Sequence, residues 1–322
     1  MNYLFEKSLK LMRKKIYPLF FTPASLPAID YEKDPKKIQQ MIFSLLQSSQ
    51  PCMIARFGST ELLAVTNYLG IKNNPRSPLK YIKGEIGEWW WNKNGVRQLR
   101  DNAGFFPITE PNIGRFCELM IKDAQQVDML GCWLPEEYHL RHELANATRV
   151  KLSCLEPPYL YDDTSILSWT SALRGKKVLV IHPFAETIRR QYEKREHLFK
   201  RKDILPDFDL ITIKAVQSLG GDSDFKNWFD ALAWMENQMD HTNYDICIIG
   251  CGAYGFPLAA HAKRTGHHAI HLGGATQLLF GIKGKRWDLR PEFRQMYNEY
   301  WVRPSQDEKP KIASRVEDAC YW

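Results

Sequence analysis

Between residues 177 and 272, short apolar runs alternate with stretches of helical periodicity, and that alternation constrains the fold more than any other feature. The runs at 177–181, 210–216, 246–249 and 268–272 have the length and the Val/Ile content of buried strands. Residues 185–200, 225–239 and 258–264 space their apolar side chains as helices with one buried face do. Strand, helix and strand of these lengths make βαβ units, which demand a parallel sheet. The first half adds a helix at 36–48, a strand at 52–57, a helix at 61–69 and strands at 127–133 and 150–154. The expectation is an α/β chain: one Rossmann-like domain over residues 31–303, its mostly parallel sheet covered by helices on both faces. Residues 1–30 form a basic amphipathic segment before it, and 304–322 a tail.

Right-handed crossovers gather every strand-to-helix loop at one sheet edge, where ligands bind. The loop after the 52–57 strand reads "ARFGSTELL", residues 55–63. Arg56 ends the strand, Gly58 turns the chain, Ser59 is placed to cap the helix, and Glu61 favours its positive end. A cation at the end of a buried strand needs a partner, which a ligand phosphate or Glu61 could supply. After 177–181, His182-Pro183 breaks the strand and leaves the free N–H groups of the next helix as an anion site. Glu186 and Arg190 there have i,i+4 salt-bridge spacing. The loop "QSLGGDSDFKNW" holds Asp222 and Asp224, which have the spacing of a D-x-D cation site and equally that of a helix cap.

The last such loop, "IIGCGAYGFP", contains Gly250, Gly252 and Gly255 as G-x-G-x-x-G. Dinucleotide folds place an acid about 20 residues beyond the first glycine, to hold the ribose. Here that place reads "HAIHLGG", with His271 and no acid, and the motif closes the sheet instead of opening it. Gly252 and Gly255 still permit a close backbone approach to a ligand. The segment 271–287 is rich in glycine and carries Lys283, Lys285 and Arg286, a flexible basic stretch suited to a diphosphate.

The formal charge of +7 fits an anionic ligand or membrane face, and no RNA-binding signature accompanies it, so nucleic acid is not expected as a partner. Seven scattered cysteines without a C-x-x-C pair read as buried, reduced thiols of a cytoplasmic protein. No apolar run is long enough to span a bilayer. The N-terminus mixes Leu4, Phe5, Leu9, Leu11 and Met12 with five cations, unlike a signal peptide. Such a helix either lies on the inner face of an anionic membrane or packs on the domain.

"IARFGSTEL" resembles the R-F-G-D-G-E motif of GT-D-type glycosyltransferases, the family long called domain of unknown function 1792. "GCGAYGFPLAAHAKRTGHHAIHLGG" is similar to that family's later Gly-rich loop, helix and A-I-x-x-G segment. "FKNWFDALAWM" falls at its N-A-W-x-D-Y-type helix. The resemblance covers residues 50–290. It implies a GT-D-like Rossmann domain and sugar transfer from a nucleotide-diphosphate sugar to a hydroxyl of a glycan or lipid-linked acceptor, in bacterial surface-polysaccharide synthesis. It also implies a D-x-E pair holding manganese or magnesium beside the diphosphate. Arg56, Gly58 and Glu61 match the motif, whereas Ser59 stands at the first acid. Either Glu61 works with Asp222 and Asp224 on the ion, or cationic side chains replace it. On this reading Arg56, Gly58, Ser59, Gly252, Gly255, Lys283, Lys285 and Arg286 hold the donor. Glu61 acts near the sugar, His182 contacts donor or acceptor, and Trp89–Trp91 stack on sugars or fill a core. A nicotinamide-type oxidoreductase and a non-catalytic ligand-binding protein on a decayed transferase fold are the alternatives.

Overall fold

The computed structural model describes residues 3–156 and 165–309; Cys320 and the end of the expected tail lie outside them. Seven strands form a single parallel sheet: β1 Met53–Ala55, β2 Met129–Cys132, β3 Thr148–Lys151, β4 Lys177–His182, β5 Asp209–Lys214, β6 Ile246–Ile249 and β7 His268–His271. Their order is β3-β2-β1-β7-β6-β4-β5, and every pairing is parallel. A Rossmann-like α/β architecture results.

The α-helices in chain order are α1 Tyr3–Leu11, α2 Pro35–Gln47, α3 Ser59–Asn73, α4 Pro78–Lys83, α5 Lys93–Asp101, α6 Glu110–Ala124, α7 Leu152–Leu155, α8 Ala185–Tyr192, α9 Arg195–Leu198, α10 Trp228–Asp240, α11 Gly255–Arg264, α12 Thr276–Leu279, α13 Lys285–Asp288 and α14 Pro291–Arg294. Successive strand residues point to opposite faces, so two cores form. Met53, Ala55, Ile181 and Ile249 face one core with Leu62 of α3, Met120 of α6, Trp228 of α10 and Leu258 of α11. Ile54, Val180, Ile248 and Ile270 face the other with Ile42 of α2, Ile188 of α8 and Leu278. Steps toward β3 run through the first face and steps toward β5 through the second, as right-handed crossovers require.

Element boundaries differ from the sequence reading where tertiary contacts intervene. β1 ends at Ala55, so Arg56 and Phe57 leave the ladder. The expected strand at 150–154 stops at Lys151 and turns into α7, folding Leu152 and Leu155 over Gly131; a Cβ on that glycine would lie 2.9 Å from both. The expected 185–200 helix breaks into α8 and α9. The six cysteines among the described residues are buried and unbonded to one another. No helix among the described residues is long and apolar enough to cross a membrane.

Candidate functional site

The chain leaves β1 toward the first face and β7 toward the second, although the two strands are neighbours. A divergence of this kind at the carboxyl edge is the place where open α/β sheets bind ligands. Arg56 sits there. Its guanidinium carbon lies 4.8 Å from the ring centroid of Trp133, which follows β2 and is 42% exposed. Trp133 is fixed in turn by an Nε1–H···O bond of 3.0 Å to Phe57. On the other side Gly273 makes room, since a Cβ there would approach Arg56 Nη1 to 3.1 Å. The Arg56 carbonyl accepts a 3.1 Å bond from His271 Nδ1.

Two carboxylates, Glu137 and Glu156, feel the charge of this arginine, and a third, Glu61, stands in the helical turn that follows it. Gly58, not Ser59, is the N-cap of α3; Ser59 is an exposed first-turn residue, which corrects the expected cap. Glu61 is buried at the third helical position, and its carboxylate folds back onto Gly58, where a Cβ would meet Oε2 at 2.1 Å. Only glycine admits that approach. Glu137, after β2, is almost fully buried; its Oε1 accepts from the N–H groups of Trp133 and Leu134 at 3.2 Å, while Oε2 is buried without a hydrogen-bond partner. Burial raises the Glu137 pKa, opposed by those backbone N–H groups, the Cys132 thiol and the Arg56 charge. Burial likewise raises Glu156, beyond β3, against the pull of Arg290, Arg56 and Arg286.

The other expected anion sites are filled by the chain itself. The N-terminus of α8 receives the Glu308 carboxylate, which accepts from Glu186 N at 2.8 Å, Thr187 N at 3.2 Å and the Thr187 hydroxyl. Glu186 pairs at 2.8 Å with Arg189, one turn position short of the expected Arg190. At the Gly-rich loop, Ala253 N donates to the Ala103 carbonyl, and a Cβ on Gly252 would meet that oxygen at 3.1 Å. The close approach Gly252 permits is therefore by the chain's own backbone. Gly255 is packed against His271, whose Nε2 would lie 2.4 Å from a Cβ there, a helix-to-strand contact and not a ligand contact.

His182 is buried, and Nδ1 accepts from Phe184 N at 3.0 Å, which leaves the ring proton on Nε2. Burial lowers its pKa to about 3, which favours the neutral ring with Nε2–H as its donor. It lines a cavity of about 70 Å³ with Asn102, Gln217, Gly250, Cys251 and Gly274, too small for a nucleotide. A wider cavity of about 580 Å³ is lined by Trp89, Trp90 and Trp91, with none of the strand-to-helix loops. Trp90 is buried against Tyr81 and Trp89, so packing accounts for much of the triplet.

Asp222 and Asp224 are exposed, and the cap of α10 is Asn227, whose Oδ1 accepts from Phe229 N and Asp230 N. Among the described residues no three His, Cys, Asp or Glu side chains form a group that could hold a metal, so Glu61, Asp222 and Asp224 do not make a cage. The expected flexible basic stretch is instead ordered and mostly buried from His271 to Ile282. Lys283 turns to the Tyr297 ring, Lys285 is exposed, and Arg286 joins Arg56 around Glu156.

Comparison with family models, with curated proteins and with solved structures finds no match to this chain. The likeness to GT-D glycosyltransferases thus rests on the motifs themselves. Of the residues singled out from sequence, the fold sets Arg56, Gly58 and Glu61 in one strand-to-helix turn and joins Arg286 to Arg56 through the field of Glu156, whereas Asp222 and Asp224 are exposed and Lys283 faces Tyr297. Trp133, Glu137 and Glu156 escaped the sequence reading. "CWLPEE" places a Trp and two acids directly after a strand, which was the available signal.

Proposed function

We propose that the chain transfers a sugar from a nucleotide-diphosphate donor to an acceptor hydroxyl of a glycan or lipid-linked saccharide. The observation that carries this reading is Arg56, held on the face of Trp133 where β1 and β7 diverge. A guanidinium presents a planar fork of donors matched to phosphate oxygens, and an exposed indole offers a face for a base or sugar ring. The R-F-G-x-x-E resemblance places both Arg56 and Glu61 in the same motif.

In the reaction the acceptor oxygen bonds to the anomeric carbon while the bond from that carbon to the diphosphate oxygen breaks. The electron pair leaves on the diphosphate, and the acceptor proton passes to a carboxylate. Arg56 stabilises the charge that develops on the leaving group, which is the largest electrostatic demand of the step. Glu61, in the first turn of α3, is the carboxylate assigned to the sugar side. Among the described residues the acids do not form a metal cage.

Nucleoside diphosphates are screened by thermal shift, and the best is titrated calorimetrically into wild type and Arg56→Ala beside its parent nucleoside. A charge-assisted hydrogen bond contributes about 1.5–3 kcal/mol, so diphosphate affinity should fall roughly ten- to hundredfold with nucleoside affinity unchanged. Equal losses for both ligands would show that Arg56 makes no phosphate contact.

A further inference from the structure

The N-terminal helix docks on the domain with one face only. Glu6, Leu9, Lys10 and Arg13, at helical spacing, turn inward. Leu9 is buried with Tyr81 and Trp90, and Glu6 lines the tryptophan cavity. Lys10 pairs with Glu88 at 3.0 Å and lies 5.9 Å from the Trp90 ring. Arg13 donates to the Ile86 carbonyl at 2.9 Å and covers the Tyr81 ring at 4.6 Å. The sequence left open whether this helix packs or faces a membrane, and one face is now accounted for by packing.

The remaining surface is apolar and cationic. Leu4 is 67% exposed, Leu19 75%, Phe20 73% and Phe21 62%, and Phe5 and Leu11 are exposed as well. Phe20 and Phe21 are held in a turn by N–H bonds to the Tyr17 carbonyl, and the Phe21 ring stacks on Tyr17 at 5.1 Å. The exposed charges from residue 4 to residue 21 are all basic: Lys7, Lys14 and Lys15. Lys80 is exposed on α4, which α1 contacts. Contiguous exposed apolar surface is unusual on a monomeric protein, and cations bordering it are what an anionic headgroup layer complements.

We infer that this face docks on an anionic lipid bilayer, with Leu4, Leu11 and the Leu19–Phe21 turn entering the interface and Lys7, Lys14 and Lys15 meeting headgroups. The domain is thereby held at the membrane by a helix already fixed to it through Leu9, Lys10 and Arg13. The inference stands on this surface alone and does not depend on the donor chemistry.

The test uses the full chain, because deleting residues 1–21 would uncover Tyr81 and Trp90. Cosedimentation is measured with vesicles of phosphatidylcholine alone and of phosphatidylcholine with one third phosphatidylglycerol, alongside light scattering for mass. Wild type should partition onto the anionic vesicles as a folded protein. Phe20→Ser with Phe21→Ser should lower partitioning at least about tenfold, from lost apolar burial. Lys14→Gln with Lys15→Gln should lower it roughly 25-fold on anionic vesicles only, at about a fivefold loss per cation. Lys14, Lys15, Phe20 and Phe21 are all exposed, Phe21 stacking only on the neighbouring Tyr17, and Lys14→Gln with Lys15→Gln serves as the second variant should the aromatic pair disturb the turn. Failure of wild type to bind anionic vesicles overturns the inference. So does a self-association that the Phe20/Phe21 variant abolishes, which would make the face a contact between copies. Donor hydrolysis in solution reads the transferase proposal separately in every variant.

Discussion

His182 and its pH dependence offer a test of how the carboxyl edge is built. The imidazole is 3% exposed, and its pKa lies at about 3 because burial disfavours the cation. In the unfolded chain the same group titrates near 6.5. Below that value the unfolded state takes up a proton that the folded state refuses, so the histidine's contribution is fully present above pH 6.5 and is lost as pH falls toward 3. Integrated from pH 7 to pH 5, the loss is about 2 kcal/mol for this one residue. Several carboxylates act in the opposite sense, among them Asp123, which burial raises to about 6. Wild type alone therefore cannot isolate the effect. His182→Asn keeps an acceptor near the Phe184 N–H and removes the titration. Urea unfolding of both proteins at half-unit steps from pH 5 to pH 7.5 gives the difference in stability. That difference should shrink by about 2 kcal/mol on going from pH 7 to pH 5. A pH-independent difference would show that His182 titrates alike in the folded and the unfolded protein, and would return it to consideration as an acid or base.

Glu308→Ala should destabilise the fold by roughly 3 kcal/mol, since it strips the α8 N-terminus of a buried charge-assisted cap. Urea midpoints measure this, and a change below about 0.5 kcal/mol would mean that water caps the helix equally well. Gly255→Ala should cost about 1–3 kcal/mol by driving a methyl into His271, whose ring cannot retreat without breaking its bond to Arg56. Gly114→Ala, with only Tyr68 at 3.5 Å, is the control that should be neutral or stabilising in the same assay. Glu61→Gln keeps the shape folded over Gly58, so the melting temperature should move little while donor turnover falls by two orders of magnitude or more. Turnover within a few-fold of wild type would leave Glu61 as a helix acid only.

The alternation of short Val/Ile runs with amphipathic stretches determined the parallel sheet and the helices on both faces, because the central runs had to bury both their sides. The Ile246–Ile249 strand is read from sequence with the same ends the structure gives it. Arg56 was likewise legible, as a charge that ends a buried run. Strand order and the fate of the loops were not. The sequence showed that the α8 N-terminus offers free N–H groups, but the carboxylate that fills them is Glu308, 122 residues away. It showed that Gly252 allows a close approach, but what approaches is Ala103. It showed acids at 222 and 224, which the fold leaves at the surface, and passed over Glu137, which the fold buries beside Arg56. Local periodicity reports which groups need burial or a hydrogen bond. Which distant group supplies it depends on the packing of the whole chain, and only the tertiary structure decides that.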